Sequence, residues 1–283
     1  MNDETQISVT PPADLGPAIF TRYVAIGDSF TEGMADPDPA RANAFVGWAD
    51  RLAVHLSAVA RQNNKGFGYA NLAVRGRLLA DIAGAQVESA LALAPDLVSI
   101  VGGGNDILRP KADIDALAAR LEDSVAKLRA GGANVLLATP TDPRAAPVLK
   151  ASRGRAATYT SHIWSIARRN DAYVLDLWGM AALRDWRMWA PDRIHLTSEG
   201  HRRVALNALT ALGFQAPEAD WAIPLPAAAP ISRAQAARAN AKWARQYLLP
   251  WIQRRLRGQS SGDTICAKRP KLAVLRDEDR FAG

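Results

Sequence analysis

The 283-residue sequence contains a single cysteine, Cys266, and no apolar run that approaches the roughly 20 residues needed to cross a bilayer. One cysteine cannot form an internal disulfide, so we expect the hydrophobic core to hold the fold in a reducing compartment. The first residues are acidic and polar, whereas a secretory signal has basic residues followed by an apolar core. These absences predict a soluble, cytoplasmic protein.

Most of the chain also lacks an excess of positive charge. The formal net charge is +7, but residues 232–283 hold 12 basic and 4 acidic side chains, which leaves the remaining residues nearly neutral. A nucleic-acid-binding protein is expected to line a folded face with basic residues, so this distribution argues against that class. No two histidines have the helical spacing of metal ligands, and there is no cysteine pair, so we expect neither a metal ion nor a cofactor.

Five short apolar segments alternate with helical segments along the chain, and each ends in a glycine-containing or polar turn. These segments lie at 23–26, 67–74, 97–101, 134–138 and 172–177. Short, continuous apolar runs are typical of strands buried on both faces of a parallel sheet. The stretches between them place apolar residues three or four positions apart, as helices do. The alternation predicts an α/β fold, a three-layer α/β/α sandwich around a five-stranded parallel sheet.

The composition divides the chain into four parts. Residues 1–20 are predicted to be an N-terminal arm, residues 21–216 the main domain and residues 217–231, rich in Pro and Ala, a linker. Residues 232–283 form a basic C-terminal extension, predicted to be helical at first and mobile from Gly258 onward because the sequence there becomes polar and Gly/Ser-punctuated.

The first predicted strand ends in Gly27-Asp28-Ser29, which places a serine at the carboxyl edge of the sheet, where such folds bind ligands. The tripeptide alone is weak evidence, because Gly, Asp and Ser are also ordinary residues of turns and helix N-caps. A serine hydroxyl becomes a useful nucleophile when a histidine accepts its proton and a third group orients that histidine. The interpretation of Ser29 therefore depends on a partner histidine.

The chain has four histidines, and one of them has a suitably placed acid. His195 follows the fifth predicted strand and has a carboxylate, Asp192, three residues before it, so that one ring nitrogen can face the acid and the other the serine. This spacing predicts His195 as the base and Asp192 as its orienting acid. The same segment also fits a capping turn, since residues 197–199 can open a helix, and such a turn would help to hold the pair.

The attack on a carbonyl also requires donors for the negative oxygen that develops. Two candidates follow the second and third predicted strands, namely the Gly76 backbone amide and the Asn105 side chain. Glycine permits a close backbone approach, and a neutral amide donates without quenching a histidine base. Each could be an ordinary strand-to-helix turn, but the sheet would bring them to the same edge as Ser29.

With these residues the sequence resembles the SGNH hydrolases, the GDSL esterase and lipase family. Its four motifs appear in order over roughly residues 20–214, with Phe30 where the family name records Leu. They are Gly27-Asp28-Ser29-Phe30, Asn71 to Gly76, Gly103-Gly104-Asn105-Asp106 and Asp192-Arg193-Ile194-His195.

The resemblance implies a catalytic triad of Ser29, Asp192 and His195. It further implies an oxyanion hole made by the Ser29 N–H, the Gly76 N–H and the Asn105 Nδ2, and a flavodoxin-like strand order of 2-1-3-4-5. The expected activity is hydrolysis of small carboxylic esters, most of all short acyl or acetyl esters, through an acyl-enzyme. A thioesterase or a lipase for longer acyl chains is the alternative, and the oligomeric state stays open.

A hypothesis of another class concerns the C-terminal extension. Its basic, Trp-bearing part, 232–257, could dock on an anionic membrane or an acidic partner. The simpler interpretation, which we favour, is that Trp243, Leu248 and Trp251 pack on the body, because Pro250 interrupts a continuous amphipathic helix.

Overall fold

The computed structural model describes residues 18–41, 44–146, 149–250, 253 and 261–275. Within these residues six strands form one sheet. They are β1 (Arg22–Gly27), β2 (Gly68–Asn71), β3 (Leu97–Val101), β4 (Asn134–Ala138), β5 (Tyr173–Leu175) and β6 (Arg269–Val274). Most of the predicted N-terminal arm, residues 1–17, lies outside the described residues, and the proposed domain boundaries remain predictions.

The first five strands are parallel and central. β1 lies between β2 and β3, with Val24 opposite Ala70 on one side and Val98 on the other, and β4 and β5 follow beyond β3. The sheet order is therefore β5-β4-β3-β1-β2-β6. The predicted α/β fold and the 2-1-3-4-5 order of the parallel strands are confirmed.

The predicted number of five strands is wrong, because β6 adds an antiparallel edge strand beside β2. It comes from the segment after Gly258 that was expected to be mobile. Pro270 and Lys271 obscure the strand in the sequence, but proline and lysine are tolerated on sheet edges, where one side of the strand faces solvent. The register shifts between Tyr69 and Asn71, where the facing residues of β6 are 270–272 and include the proline.

Helices cover both faces of the sheet. They are α1 (Ser29–Glu32), α2 (Trp48–Gln62), α3 (Leu79–Asp81), α4 (Val87–Ala92), α5 (Gly104–Ile107), α6 (Ile114–Ala130), α7 (Arg153–Arg169), α8 (Ser198–Ala211) and α9 (Arg233–Trp243). A π-helical turn, Ile82–Gln86, joins α3 to α4. No helix among the residues described is both long and apolar enough to span a membrane.

The alternation of side chains along β1 creates two cores. Tyr23 and Ala25 pack with α2 and α8 on one face, whereas Val24 and Ile26 pack with α4, α6 and α7 on the other. Both faces of β1 are fully buried, which explains its continuous apolar sequence. The sheet is thus fixed from both sides, and the loops at its carboxyl edge start from a rigid base.

The C-terminal extension begins with α9 and continues into a second π-helical turn, Ala244–Leu248. Ser232 caps α9, since its hydroxyl accepts a hydrogen bond from the Gln235 amide at 3.2 Å. The π-helical turn precedes Pro250, which has no amide hydrogen to continue regular α-helical bonding. Trp251, which was also predicted to pack on the body, lies outside the described residues.

Candidate active site

Ser29 stands where β1 ends and α1 begins. Gly27 has a φ of +154°, and a β-carbon there would lie 2.6 Å from the Val101 carbonyl oxygen, so only glycine fits this sharp exit from the sheet. Asp28 caps α1, since its Oδ1 accepts a hydrogen bond from the Phe30 amide at 3.0 Å. Ser29 is therefore the first residue of a short capped helix, held at the carboxyl edge of the central strand.

The structure brings Ser29, His195 and Asp192 into one hydrogen-bonded chain. The Ser29 Oγ lies 3.0 Å from the His195 Nε2, and the His195 Nδ1 lies 2.6 Å from the Asp192 Oδ2. Both distances are within the range for a nucleophile, a base and an orienting acid. The two ring nitrogens thus face the serine and the carboxylate in the manner that the Asp192-to-His195 spacing predicted.

The backbone of the base loop, residues 190–197, also holds Asp192. Its Oδ1 accepts hydrogen bonds from the Ile194 amide at 2.9 Å and the His195 amide at 3.0 Å. Burial alone would raise the pKa of Asp192, but these bonds and the His195 ring together hold that pKa below its ordinary value. The acid is therefore ionised at neutral pH and acts as an acceptor for the His195 Nδ1–H.

The base loop leads directly into a capped helix, so the capping interpretation applies, and it is compatible with the acid–base interpretation. Thr197 caps α8, with its Oγ1 accepting a hydrogen bond from the Gly200 amide at 3.2 Å. Because α8 packs against α2 in the core, the end of the base loop is anchored to the body.

The C-terminal extension contacts the base loop from the other side. Arg193 has a φ of +60°, a left-handed conformation that is unfavourable for a residue with a β-carbon. Its guanidinium lies between the rings of Trp186 and Trp243, 5.3 Å and 5.2 Å from their centroids, and donates to the Asn240 Oδ1 at 2.7 Å. The Trp243 Nε1 donates to the Asp192 carbonyl oxygen at 2.8 Å. Asn240 and Trp243 of α9 thus help to fix the loop that carries the acid and the base.

The two predicted oxyanion donors lie in connected turns. The Asn105 Nδ2 donates to the Asp28 Oδ2 at 3.2 Å and to the Arg77 carbonyl oxygen at 3.0 Å, which ties the α5 turn to the turn that contains Gly76. Gly76 has a φ of +74°, a conformation that favours glycine. Asn105 lines the cavity above Ser29 together with His195. Gly76 is not among the residues that line this cavity.

Asp28 is a buried carboxyl beside Ser29. Burial raises the pKa of Asp28 to about 6, although the Phe30 amide opposes this shift. Its two oxygens accept hydrogen bonds from the Phe30 amide and the Asn105 side chain, so it connects Ser29's helix to Asn105. This agrees with a structural role at the end of β1.

The other histidines have different surroundings. His201 is fully buried, and its Nδ1 accepts a hydrogen bond from the Trp48 amide at 3.2 Å. Burial lowers the pKa of His201 to about 3, so the ring is neutral. His162 lies 2.9 Å from Asp115 on the surface, and His55 is half-buried on α2. Of the four, His195 is the histidine that lies beside Ser29.

The sequence analysis missed the residues that hold the turn on either side of Ser29. Gln86, on the π-helical turn, accepts from the Gly27 amide at 2.8 Å and donates to the Gly27 carbonyl at 2.9 Å. Glu32, at the end of α1, accepts from the Arg75 amide at 2.7 Å and pairs with the Arg75 guanidinium. These partners are far apart in the chain, so no local pattern could have predicted them.

A cavity of about 190 Å³ opens above Ser29, and we call it the catalytic cavity. Ser29, Asn105 and His195 contribute polar groups to its lining, and most of the other lining residues are apolar. The apolar residues include Phe30, Val101, Ile107, Leu108, Leu149, Leu177, Trp189 and Ile194. No cluster of three or more histidine, cysteine or acidic side chains suited to a metal ion occurs in the part of the chain that the structure describes.

The GDSL-like lipase/acylhydrolase family matches residues 25–203, which include Ser29, Gly76, Asn105, Asp192 and His195. The chain belongs to this family. The predicted enzyme class, a carboxylic ester hydrolase of the SGNH/GDSL type, is therefore confirmed. A comparison of this acylhydrolase with curated protein sequences gave no match.

Several solved structures share the fold of this acylhydrolase. Axe2, an acetylxylan esterase from Geobacillus stearothermophilus, is 22% identical with a TM-score of 0.56, and the match covers 72% of this chain and 98% of Axe2. LAE5, an alpha/beta hydrolase enzyme from the metagenome of Lake Arreo in Spain, is 24% identical with a TM-score of 0.57, covering 68% of this chain and 95% of LAE5. TesA is 22% identical with a TM-score of 0.54, covering 67% and 97% of the respective chains.

Proposed function

We propose that this acylhydrolase cleaves carboxylic esters through a covalent acyl-enzyme on Ser29. The observation that carries the proposal is the continuous hydrogen-bonded chain from the Ser29 Oγ through His195 to the Asp192 carboxylate. This arrangement is suited to remove the serine proton as the hydroxyl attacks and to stabilise the imidazolium that forms.

In the first half-reaction, the Ser29 Oγ attacks the ester carbonyl carbon and its proton passes to the His195 Nε2. The tetrahedral intermediate collapses, the bond to the alcohol oxygen breaks, and His195 returns the proton to that oxygen. In the second half-reaction, His195 takes a proton from a water molecule as that water attacks the acyl carbon. When the bond from the acyl carbon to the Ser29 Oγ breaks, His195 returns the proton to that oxygen and the acid leaves. Asp192 keeps the His195 Nδ1–H oriented throughout.

The developing oxyanion is proposed to bind the Ser29 amide, the Gly76 amide and the Asn105 Nδ2. Support comes from Asn105 lining the catalytic cavity and from its hydrogen bond to Arg77, next to Gly76. Because the Asn105 Nδ2 also donates to the Asp28 Oδ2 at 3.2 Å, the oxyanion must share or replace that contact.

A small-molecule ester is the proposed substrate, with no nucleic acid involved, and the cytoplasm is the proposed location. The name of Axe2 as an acetylxylan esterase supports ester hydrolysis for a chain of this fold. The same residues would also cleave a thioester, so the thioesterase alternative differs in the leaving group alone.

We do not propose that the C-terminal extension docks on a membrane. Two of the side chains that docking would use are engaged elsewhere, since Trp243 contacts the body and Leu248 lines a cavity.

The proposed nucleophile is tested by Ser29→Ala, with p-nitrophenyl acetate and butyrate as substrates. Loss of the nucleophile should lower kcat by at least about 1,000-fold, as in other serine hydrolases. Ser161→Ala is a matched control, because Ser161 is exposed on α7 and bonds to its own helix. Full activity in Ser29→Ala would refute the proposal.

A further inference from the structure

A second cavity, also about 190 Å³, lies next to the catalytic cavity and beneath the C-terminal extension. We call it the extension cavity. Trp243 and Leu248 of the extension form part of its wall, and Trp186 and Arg193 line it from the body. Its other lining residues are mainly leucine, isoleucine and alanine.

The two cavities are adjacent because they share wall residues. Leu108, Leu149, Ser152 and Ile194 line both of them. An acyl chain that starts at a carbonyl on Ser29 would have to pass these four residues to reach the extension cavity.

The extension cavity offers little to a polar ligand. Its two guanidinium groups are already engaged, since Arg193 lies between two tryptophan rings and the Arg155 Nη1 donates to the Arg109 carbonyl oxygen at 2.5 Å. The remaining wall favours hydrocarbon, which gains free energy as it leaves water.

We propose that the extension cavity binds the distal part of the substrate's acyl chain, so that the enzyme prefers acyl groups longer than acetyl or butyryl. The inference rests on the proposed function, because it requires an acyl group on Ser29. It reverses the expectation of short acyl esters. It also gives the C-terminal extension, which lies beyond the family match at residues 25–203, a role in substrate selection.

The acyl side of the ester fits this cavity better than the alcohol side. Of the four shared residues, Ile194 alone belongs to the base loop, and the others belong to segments that follow β3 and β4. The leaving alcohol must stay beside the His195 Nε2 to receive its proton, so it is expected to depart along the base loop.

The test uses the full chain with substitutions that fill the extension cavity, one from the C-terminal extension and one from the body. Leu248→Trp narrows it from the extension and Ala151→Phe from the body, where Ala151 is exposed. Leu249→Trp is the matched control, because Leu249 is 52% exposed and does not line the cavity. Melting temperatures establish that each variant is folded.

For each protein, kcat/KM is measured on p-nitrophenyl acetate, butyrate, octanoate and decanoate, and on acetates of alcohols of the same lengths. For the unmodified enzyme kcat/KM should rise with acyl length, by up to about fourfold per buried methylene. Both filling variants should lower the octanoate-to-acetate ratio of kcat/KM at least tenfold, whereas Leu249→Trp should keep it. An unchanged ratio in both filling variants overturns the proposal, as does an effect confined to the alcohol series.

A binding measurement separates this proposal from the proposed function. Calorimetric titration of Ser29→Ala with decanoate should show binding that Leu248→Trp and Ala151→Phe each weaken at least tenfold in that background. If the enzyme hydrolyses no ester but decanoate binds in this way, the cavity assignment stands and the proposed chemistry fails. If esters are hydrolysed but decanoate binding does not respond to the filling variants, the cavity assignment fails alone.

Discussion

His201 is a fully buried histidine near Ser29, and its protonation makes the stability of the folded protein depend on pH. Its ring packs 6.1 Å from the Phe30 ring, next to Ser29, and its Nδ1 accepts from the amide of Trp48 at the start of α2. The bond from Trp48 requires an unprotonated Nδ1, so the folded state needs the neutral ring. This is a structural role, distinct from that of His195, which shares the same segment of the chain.

We expect acid to destabilise the protein through His201. The folded pKa of about 3 lies below the ordinary value of 6.5, so the unfolded state binds more protons between these pH values. Stability is therefore lost as pH falls below 6.5, by about 2 kcal/mol at pH 5. His201→Gln, which does not titrate, should be less stable than the unmodified protein at pH 7.5, and this difference should shrink by about 2 kcal/mol at pH 5.

Urea unfolding of both proteins at pH 7.5 and pH 5 measures this change. Ser161→Ala is the control, because Ser161 is exposed on α7 and does not titrate, so the difference from the unmodified protein should stay nearly constant. A constant difference for His201→Gln as well would contradict the buried, neutral assignment.

At the scale of elements, β6 and the preceding Lys268 connect the C-terminal extension to α1 and α2, the helices near Ser29. Lys268, the residue before β6, donates to the Asp50 Oδ2 at 2.5 Å, to the Glu32 carbonyl at 2.6 Å and to the Phe45 carbonyl at 3.1 Å. Asp50 is only 2% exposed, and Glu32 is the last residue of α1, which begins at Ser29. The extension thus neutralises a buried carboxylate next to the nucleophile's helix.

We expect Lys268→Met to destabilise the protein by about 3 kcal/mol, because it leaves the buried Asp50 carboxylate without its cation. Adding Asp50→Asn to that variant should restore part of the stability, since the uncompensated charge is then absent. Lys271→Met is the matched control, as Lys271 is exposed on the same strand. Urea unfolding at pH 7 measures all four proteins, and equal stability of the two lysine variants would show that the pair contributes nothing.

At the scale of the whole molecule, the sequence was sufficient to predict the parallel sheet and the residues at its carboxyl edge. Continuous apolar runs such as 97–101 encode strands buried on both faces, and the segments that follow the first three strands carry Ser29, Gly76 and Asn105. The Asp192-to-His195 spacing could be interpreted locally, because both residues belong to one loop. The strand order, which the family resemblance implied, then placed that loop at the same sheet edge as Ser29.

The remaining features depend on contacts between distant segments. β6 is an edge strand with Pro270 and Lys271, and its partner β2 is about 200 residues earlier in the chain. The contacts of Lys268 with Asp50 and of Trp243 with Asp192 have no local pattern either. The sequence therefore predicts the parallel sheet and the candidate site residues, whereas the contacts of the C-terminal extension with the body require the structure.

The central claim, that Ser29 becomes covalently acylated with His195 as its base, is tested most directly by mass spectrometry after reaction with diisopropyl fluorophosphate. The fluorophosphate should form one adduct per chain on the peptide that contains Ser29. Labelling should be absent in Ser29→Ala and slowed at least about 100-fold in His195→Ala, because the serine hydroxyl then lacks its base. Two results would contradict the account. One is labelling of Ser29→Ala on another residue as fast as the unmodified protein is labelled, and the other is labelling of Ser29 in His195→Ala at the rate of the unmodified protein.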